Sequence, residues 1–205
     1  MGPATFTSSS SFPLPDRMPM IVLEGCYHFP GCLLPLFIFE ERYRLMLGHA
    51  LRTDRMFCVG VDAGAGDVLP VVTAGLIHAS VKNQDGTSQV LLLGMQRMRI
   101  TGWEQLVPFR IARVEPVRSQ DACPESLRAM KSRALELLPP PTKDSCEGML
   151  KLRDELERMP DGEAACDIIA FHFLKKKTAL RALLEECCPQ RRFELLIREL
   201  EKSGG

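Results

Sequence analysis

The sequence has no excess of charge of either sign. It contains 26 Lys and Arg residues against 26 Asp and Glu residues, and neither residues 1–118 (11 against 10) nor residues 119–205 (15 against 16) depart from this balance. Proteins that bind nucleic acids usually carry a basic excess, because cations displace the counterions of the phosphates. Aromatic residues, on which unpaired bases stack, make up only 6% of the chain. We therefore expect no nucleic acid as a partner.

Long apolar runs are also missing. The longest candidates, such as Val90–Leu93, have the length of a strand, whereas a helix that spans a bilayer needs roughly 20 apolar residues. The N-terminus lacks the basic start and apolar core of a secretory signal peptide. We expect no membrane partner and a cytoplasmic location, and we predict that residues 1–17 are a disordered leader.

The motifs of common active sites are absent as well. The sequence contains no phosphate loop GxxxxGK[ST], no GxSxG and no HExxH. Its four histidines have no partner at the spacing of metal ligands, and its eight cysteines include no CxxC pair. We therefore expect no enzyme activity, no cofactor and no bound metal, and we predict that all eight cysteines are free thiols.

Strands dominate the prediction for the first 118 residues. Turn residues separate short apolar or alternating runs, which are Met20–Leu23, Leu33–Phe39, Met56–Val61, Val71–Val81, Ser88–Leu93, Met95–Ile100 and Arg110–Val117. Asp85 and Gly86 predict a hairpin turn, and Asp62–Asp67 is predicted as a loop. Pro35 cannot donate to a sheet ladder and favours an edge strand. Glu40–Leu51 has apolar residues at helical spacing and is predicted as a helix.

Beyond Arg118 the composition changes to that of helices. β-Branched residues become rare, while Leu, Glu, Lys and Arg become common. The predicted helices are Pro124–Leu138, Ser145–Arg158, Glu163–Leu174, Ala179–Glu186 and one that begins at Pro189. Thr178 is predicted to cap the fourth of them. The pattern indicates a small, closed or nearly closed β-structure followed by a helical part.

Four motifs occur in an order that resembles the N-terminal, substrate-binding domain of Lon proteases. They comprise Phe29-Pro30-Gly31, then Leu34-Pro35-Leu36-Phe37 with Glu40 and Arg42-Tyr43, then Thr73–Ile77 through Ile100 with its G-x-x-R-x-x-I ending, and finally Pro108-Phe109 with Ala112–Glu115. The resemblance covers residues 18–118 well and continues more weakly through Asp167–Leu200.

The resemblance implies an α+β fold. Residues 18–118 are expected to form a PUA-like β-pseudobarrel with one short helix, and residues 119–205 a C-terminal α-helical bundle. It also implies binding of unfolded or partner polypeptides, in protein quality control or proteolysis. The ATPase and protease modules of Lon proteases are not in this sequence, so the implied module is non-catalytic. Because PUA-like folds often bind RNA, an RNA-binding protein stays open as the alternative, and the oligomeric state is not indicated.

We place the candidate protein-binding surface around one corner, one helix start and one strand. Its residues are Phe29, Pro30, Gly31, Glu40, Arg42, Tyr43, Arg97 and Arg99. The prolines of this segment favour a sheet edge, to which an extended peptide adds as a further strand. Arg97 and Arg99 share one side of their predicted strand. The alternative for Arg97 is an ion pair with Glu40 or Glu41 inside the domain.

Overall fold

The computed structural model describes residues 14–120, 122–140 and 147–203, and over these it contains seven strands and six helices. The strands are β1 (Arg17–Leu23), β2 (Leu33–Ile38), β3 (Met56–Gly64), β4 (Asp67–Val68), β5 (Val71–Lys82), β6 (Ser88–Gln105) and β7 (Arg110–Pro116). The helices are α1 (Glu41–Arg52), α2 (Pro124–Glu136), α3 (Glu147–Arg158), α4 (Gly162–Phe173), α5 (Lys177–Glu185) and α6 (Pro189–Ser203).

A sheet that closes on itself forms the β-part. Its strands follow in the order β1, β7, β6, β5 and β3, and the parallel pairing of β1 with β3 sets Met20 opposite Cys58 and closes the barrel. The interior is filled by small and by unbranched apolar side chains, which include Met18, Met20, Cys58, Val72, Ala74, Met98 and Ala112. The predicted fold class, a β-pseudobarrel with one short helix followed by a helical bundle, is confirmed.

Beyond the barrel, β5 and β6 continue and are joined by β2 in an open sheet, which we call the extension sheet. The first half of β6 lies at its centre, with β2 antiparallel on one side and the second half of β5 on the other. Helix α1 covers one face, where Met46 and Leu47 pack with Ile38, Val90 and Leu92. Among the described residues β2 pairs with β6 alone, so the edge position that Pro35 predicted is confirmed.

The strand β6 differs from its prediction as two separate strands. It runs unbroken over 18 residues from Ser88 to Gln105. Gly75 of β5 lies opposite Gly94, and the next residue back, Ala74, lies opposite Gln96, so Met95 is an extra residue in β6. Such a bulge bends a strand without ending it.

The predicted loop at Asp62–Asp67 is also shorter than expected. β3 continues to Gly64 and pairs back with β4, through a turn in which Gly64, Ala65 and Gly66 all have positive φ. The two short strands therefore extend β3 into a small hairpin at the rim of the barrel.

The helical part packs against the outside of the barrel. One apolar cluster contains Ile169, Leu184 and Phe193 of the helices together with Phe29 and Cys32 of the β-part. Because this cluster spans both parts, the division into domains at residue 118 stays a prediction. None of the described helices combines the length and hydropathy that crossing a bilayer requires.

Two smaller expectations concern the ends of elements. Helix α5 begins at Lys177 after Lys176, and no side chain caps it, so the predicted cap at Thr178 is wrong. Residues 1–13 of the predicted leader lie outside the described residues. Leu14 and Asp16 already belong to the barrel, where the Asp16 carbonyl accepts a hydrogen bond from the Val114 amide at 2.8 Å.

Candidate functional site

Three of the eight predicted site residues are buried. Phe29 is fully enclosed, and Tyr43 lies in the cluster beneath α1, where its hydroxyl donates to the Val22 carbonyl at 2.9 Å. The Arg97 side chain is also buried, and its guanidinium lies 5.7 Å from the centre of the Phe29 ring. The structure therefore brings Phe29 and Arg97 together in the interior, where they support the fold.

Asp167 of α4 is the partner of Arg97. The two side chains form a bidentate pair, with nitrogen-to-oxygen distances of 2.5 and 2.8 Å, and Arg97 also donates to the carbonyls of Leu183 and Leu184. The alternative that Arg97 pairs inside the domain is right in kind, but its partner is Asp167 and not Glu40 or Glu41. Glu40 accepts instead from Arg42, at 2.8 Å.

A second arginine completes this buried ionic cluster. Arg192 of α6, which is fully buried, donates to both oxygens of Asp167 and to Glu163 and Ser119. The two guanidinium groups are balanced by the two carboxylates, so the cluster carries no net charge. A buried charge is tolerated when it is paired in this way, and the cluster fastens the helices to the barrel.

The remaining predicted residues lie nearer to the surface. Gly31 has a φ of +78° and its amide donates to the Gly94 carbonyl, which fixes the corner after Pro30. Glu40 and Arg42 stand at the start of α1. Arg99 is exposed and has only a 3.9 Å contact with Glu115, so the helices cover Arg97 but not its neighbour two residues along.

An exposed apolar surface lies on the face of the extension sheet opposite α1. The strand registers place eight side chains on it, of which only Gln89 is polar. We call this surface the apolar face, and its described residues are Leu33, Pro35, Phe37, Ala79, Val81, Gln89, Leu91 and Leu93. Phe37 is 56% exposed and Val81 62% exposed, and they flank Gln89 from opposite sides on this face.

A shallow groove of about 590 Å³ runs over this part of the extension sheet. The described residues that line it are all uncharged, namely Pro35, Leu36, Phe37, Ala79, Ser80, Val81, Gln89, Val90 and Leu91. At one end of β2 the ring of Phe37 stacks on that of Phe39, with 6.0 Å between their centres. The groove therefore offers apolar contacts and a row of small side chains between larger ones.

The free edge of β2 borders the apolar face. The Gly94 amide donates to the Cys32 carbonyl, and the alternation of an antiparallel ladder then turns the backbone groups of Leu33, Pro35 and Phe37 outward. The missing N–H of Pro35 removes one donor from this outward row. Strand addition at this edge is therefore weakened at its centre, as in other protected edges.

The sequence carried a signal for this face that the prediction did not use. Residues 33–39 are apolar at every position, so a strand there has two apolar faces, while α1 supplies cover for only one. The prediction instead used the prolines and the arginines. Of its residues, Gly31 precedes the apolar face and Glu40 and Arg42 follow it, at opposite ends of β2.

Outside the buried ionic cluster, burial favours the neutral forms of the cysteine and histidine side chains in the interior. Burial raises the pKa of the Cys32 thiol, and burial raises that of Cys58 to about 12. Burial lowers the pKa of His28, although a hydrogen bond between its Nε2 and the Cys32 carbonyl opposes this. Within the described residues no three His, Cys, Asp or Glu side chains are grouped as metal ligands, and the seven cysteines there are unpaired, whereas Cys146 lies outside.

Comparisons with known proteins show which family the sequence of this chain matches. The family described as "ATP-dependent protease La (LON) substrate-binding domain" matches residues 17–202. Lon protease of Trichlorobacter lovleyi is 27% identical over 96% of this chain, and Lon protease of Escherichia coli K12 is 25% identical over 90%. The matches cover 26% and 24% of those two proteases, so this chain spans about a quarter of their length.

Two solved structures share the fold. The N-terminal domain of the Mycobacterium avium complex Lon protease has a TM-score of 0.69 at 17% identity, and the match covers 90% of this chain and 98% of that one. A Lon N-terminal domain protein from Xanthomonas campestris has a TM-score of 0.64 at 22% identity, over 89% of this chain and 97% of that one. Both matches extend through the barrel and the helices.

Proposed function

This chain belongs to the Lon substrate-binding domain family, and we propose that it binds polypeptides at the apolar face without cleaving them. The family supports the role, and the apolar face supports the place. Monomeric soluble proteins rarely expose a contiguous apolar surface of this kind unless it binds a partner.

The observation that carries the proposal is that Phe37, Val81 and Leu91 lie on one uncharged face of the extension sheet. Side chains of unfolded polypeptides that are normally buried gain free energy there by leaving water, at roughly 25 cal/mol per Å² of apolar area. Gly31 at one end of β2, and Glu40 and Arg42 at the other, form its polar rim in this proposal. Phe29, Tyr43 and Arg97 act from below by holding the strands in place, and Arg99 lies outside the surface.

A side-chain mechanism of this kind tolerates many client sequences. Strand addition to β2 contributes less, because Pro35 removes a donor from the free edge. We propose further that the protein acts in the cytoplasm as a non-catalytic module that serves quality control or proteolysis. Neither ATP hydrolysis nor casein degradation is expected of the purified chain.

The test replaces one exposed apolar residue on the face and one elsewhere. Val81→Lys puts a charge on the apolar face, whereas Val107→Lys makes the same change at a residue that is 79% exposed in the loop after β6. We expect Val81→Lys to weaken binding of reduced, carboxymethylated α-lactalbumin, a permanently unfolded protein, at least about tenfold, because a bound chain would strip water from the charge. Val107→Lys should bind as the unchanged protein does.

Both substitutions are at exposed positions, so the free energy of unfolding should change by no more than about 0.5 kcal/mol in each variant. Binding is measured by fluorescence anisotropy of the labelled client, with a short single-stranded RNA as the comparison ligand. Equal loss in both variants, or tight RNA binding with no client binding, would contradict the proposal.

A further inference from the structure

The place where the chain enters the barrel lies beside the apolar face. Leu14 packs against the interior cluster of the barrel, as does Leu76 of β5. β1 and β3 run in parallel with Met20 opposite Cys58, and Met56 of β3 lies opposite Leu76. The start of β1 and Leu76 are therefore at the same end of the barrel, two strands apart.

The extension sheet projects from that same end. Leu76 lies opposite Leu93, which belongs to the apolar face, and β5 then continues from Leu76 to Val81. At about 3.3 Å per residue, this stretch of strand is about 17 Å long. Residues 1–13, which precede Leu14, span up to about 43 Å when extended, so they are long enough to cross the whole face.

The chemistry of residues 1–13 matches that of the face. The segment has the sequence MGPATFTSSSSFP and contains no charged side chain, but it has two aromatic ones, Phe6 and Phe12. An uncharged face favours such a segment, because no charge loses its water on contact. Phe12 is two residues from Leu14. Phe6 can lie up to about 26 Å from Leu14 when the chain is extended, so it can reach the far end of the apolar face.

From this placement we propose that residues 1–13 occupy the apolar face and compete with polypeptide clients for it. The inference rests on the proposed function, since competition requires that clients bind the same face. A covalently attached segment acts at an effective concentration in the millimolar range. A contact with a Kd of about 0.1 mM between separate molecules is thus enough to fill the face for most of the time.

The direct test supplies the segment as a separate molecule. A fluorescently labelled synthetic peptide with the sequence of residues 1–13 is titrated with protein that lacks those residues, and anisotropy is recorded. We expect saturable binding with a Kd of about 0.1 mM. A peptide with Phe6→Ser and Phe12→Ser should bind at least about fivefold more weakly, because it buries less apolar area.

The same titration locates the contact. Val81→Lys in the shortened protein should weaken peptide binding, and Val107→Lys should leave it unchanged. Absence of binding at millimolar peptide, or binding that Val81→Lys does not alter, would overturn the inference.

The consequence for clients is measured on the full chain and the shortened chain. If the segment fills the face nine-tenths of the time, its removal raises the apparent affinity for carboxymethylated α-lactalbumin about tenfold. If the full and shortened chains bind the client with equal affinity, and Val81→Lys weakens client binding in both, the inference is overturned and the proposed function stands. If Val81→Lys has no effect on client binding in either protein, the proposed function itself is wrong.

A second copy of the chain is the competing occupant of the face. Sedimentation of the full and shortened chains distinguishes the two cases. We expect both to sediment as the same species at all concentrations. A full chain that dimerises in a way that Val81→Lys abolishes would assign the face to a second copy and overturn the inference.

Discussion

The two halves of β6 lie in opposite environments. In the first half, around Leu91, apolar side chains of the extension sheet face solvent, whereas in the second half the charged side chain of Arg97 is buried beneath the helices. The buried charge has a complete set of partners, while no described element covers the apolar face. The comparison teaches that the polar junction, formed by Arg97, Asp167 and Arg192, joins β6 to the helices, whereas the apolar face is the surface that we propose for a partner.

The largest expected effect is at the junction. Asp167→Asn removes the carboxylate that Arg97 and Arg192 share. Arg192 keeps Glu163, which is only partly buried, while Arg97 keeps the carbonyls of Leu183 and Leu184 and no carboxylate among the described residues. Breaking a buried pair from one side typically costs about 3–5 kcal/mol, and we expect a loss of that size in the free energy of unfolding in urea.

Glu115→Gln is the matched control for this change. It removes the partner of Arg99, an exposed contact of 3.9 Å on the same strand, and should cost no more than about 1 kcal/mol. Equal losses for the two variants would mean that the junction does not depend on its buried charges.

A smaller effect is expected where the two halves of β6 meet. A Cβ atom added at Gly94 would lie 2.1 Å from the backbone oxygen of Phe29, so Gly94→Ala forces the strand away from the corner. We expect a loss of about 1–3 kcal/mol in the free energy of unfolding. At Gly102 the nearest atom is 3.8 Å away, so Gly102→Ala should change stability by no more than about 0.5 kcal/mol. Similar values for both variants would show that the corner does not hold β6 tightly.

Acid should lower the stability of the protein by a smaller amount through His28, whose ring lies beside Gly94. Nε2 of His28 lies 3.0 Å from the Cys32 carbonyl and must carry the proton, while the buried Nδ1 has no partner within the described residues. Burial lowers the pKa of His28 in the folded state below 6.5. The unfolded chain therefore takes up a proton as the pH falls through 6.5, before the folded protein does, and stability is lost in that direction.

The expected loss between pH 7.5 and pH 5.5 is at most about 1.4 kcal/mol, the limit for one pH unit below the unfolded pKa. Urea titrations of the unchanged protein and of His28→Gln measure it, with His78→Gln as the exposed control. Burial lowers the pKa of His172 as well, so the quantity of interest is the difference in pH dependence that His28→Gln removes. An unchanged pH dependence in His28→Gln would contradict this role of His28.

Local patterns predicted some elements well. Helix α1 was placed at Glu40–Leu51 and observed at Glu41–Arg52, because its helical period is visible in the sequence alone. The edge position of β2 followed from Pro35, whose missing donor is a property of a single residue. The break predicted in β6 at Gly94 was wrong, since a glycine marks an irregular position but does not show whether the strand bends or ends.

Long-range features were beyond these patterns. Arg97 and Asp167 are 70 residues apart, and only the packing of α4 on the barrel makes them partners. The apolar face depends on the registers of β2, β6 and β5 together.

 Phe37 and Val81 lie on the same face because both pair with Gln89, one from each side, and residue composition alone does not predict this placement.

The most direct test of the comparison is hydrogen exchange of the backbone amides with and without a bound client. Saturating carboxymethylated α-lactalbumin should slow exchange in β2, in the second half of β5 and in the first half of β6, while exchange in α4 and α6 stays unchanged. This result would assign binding to the extension sheet and a structural role to the junction. Protection confined to α4 and α6, with none in the extension sheet, would contradict the account.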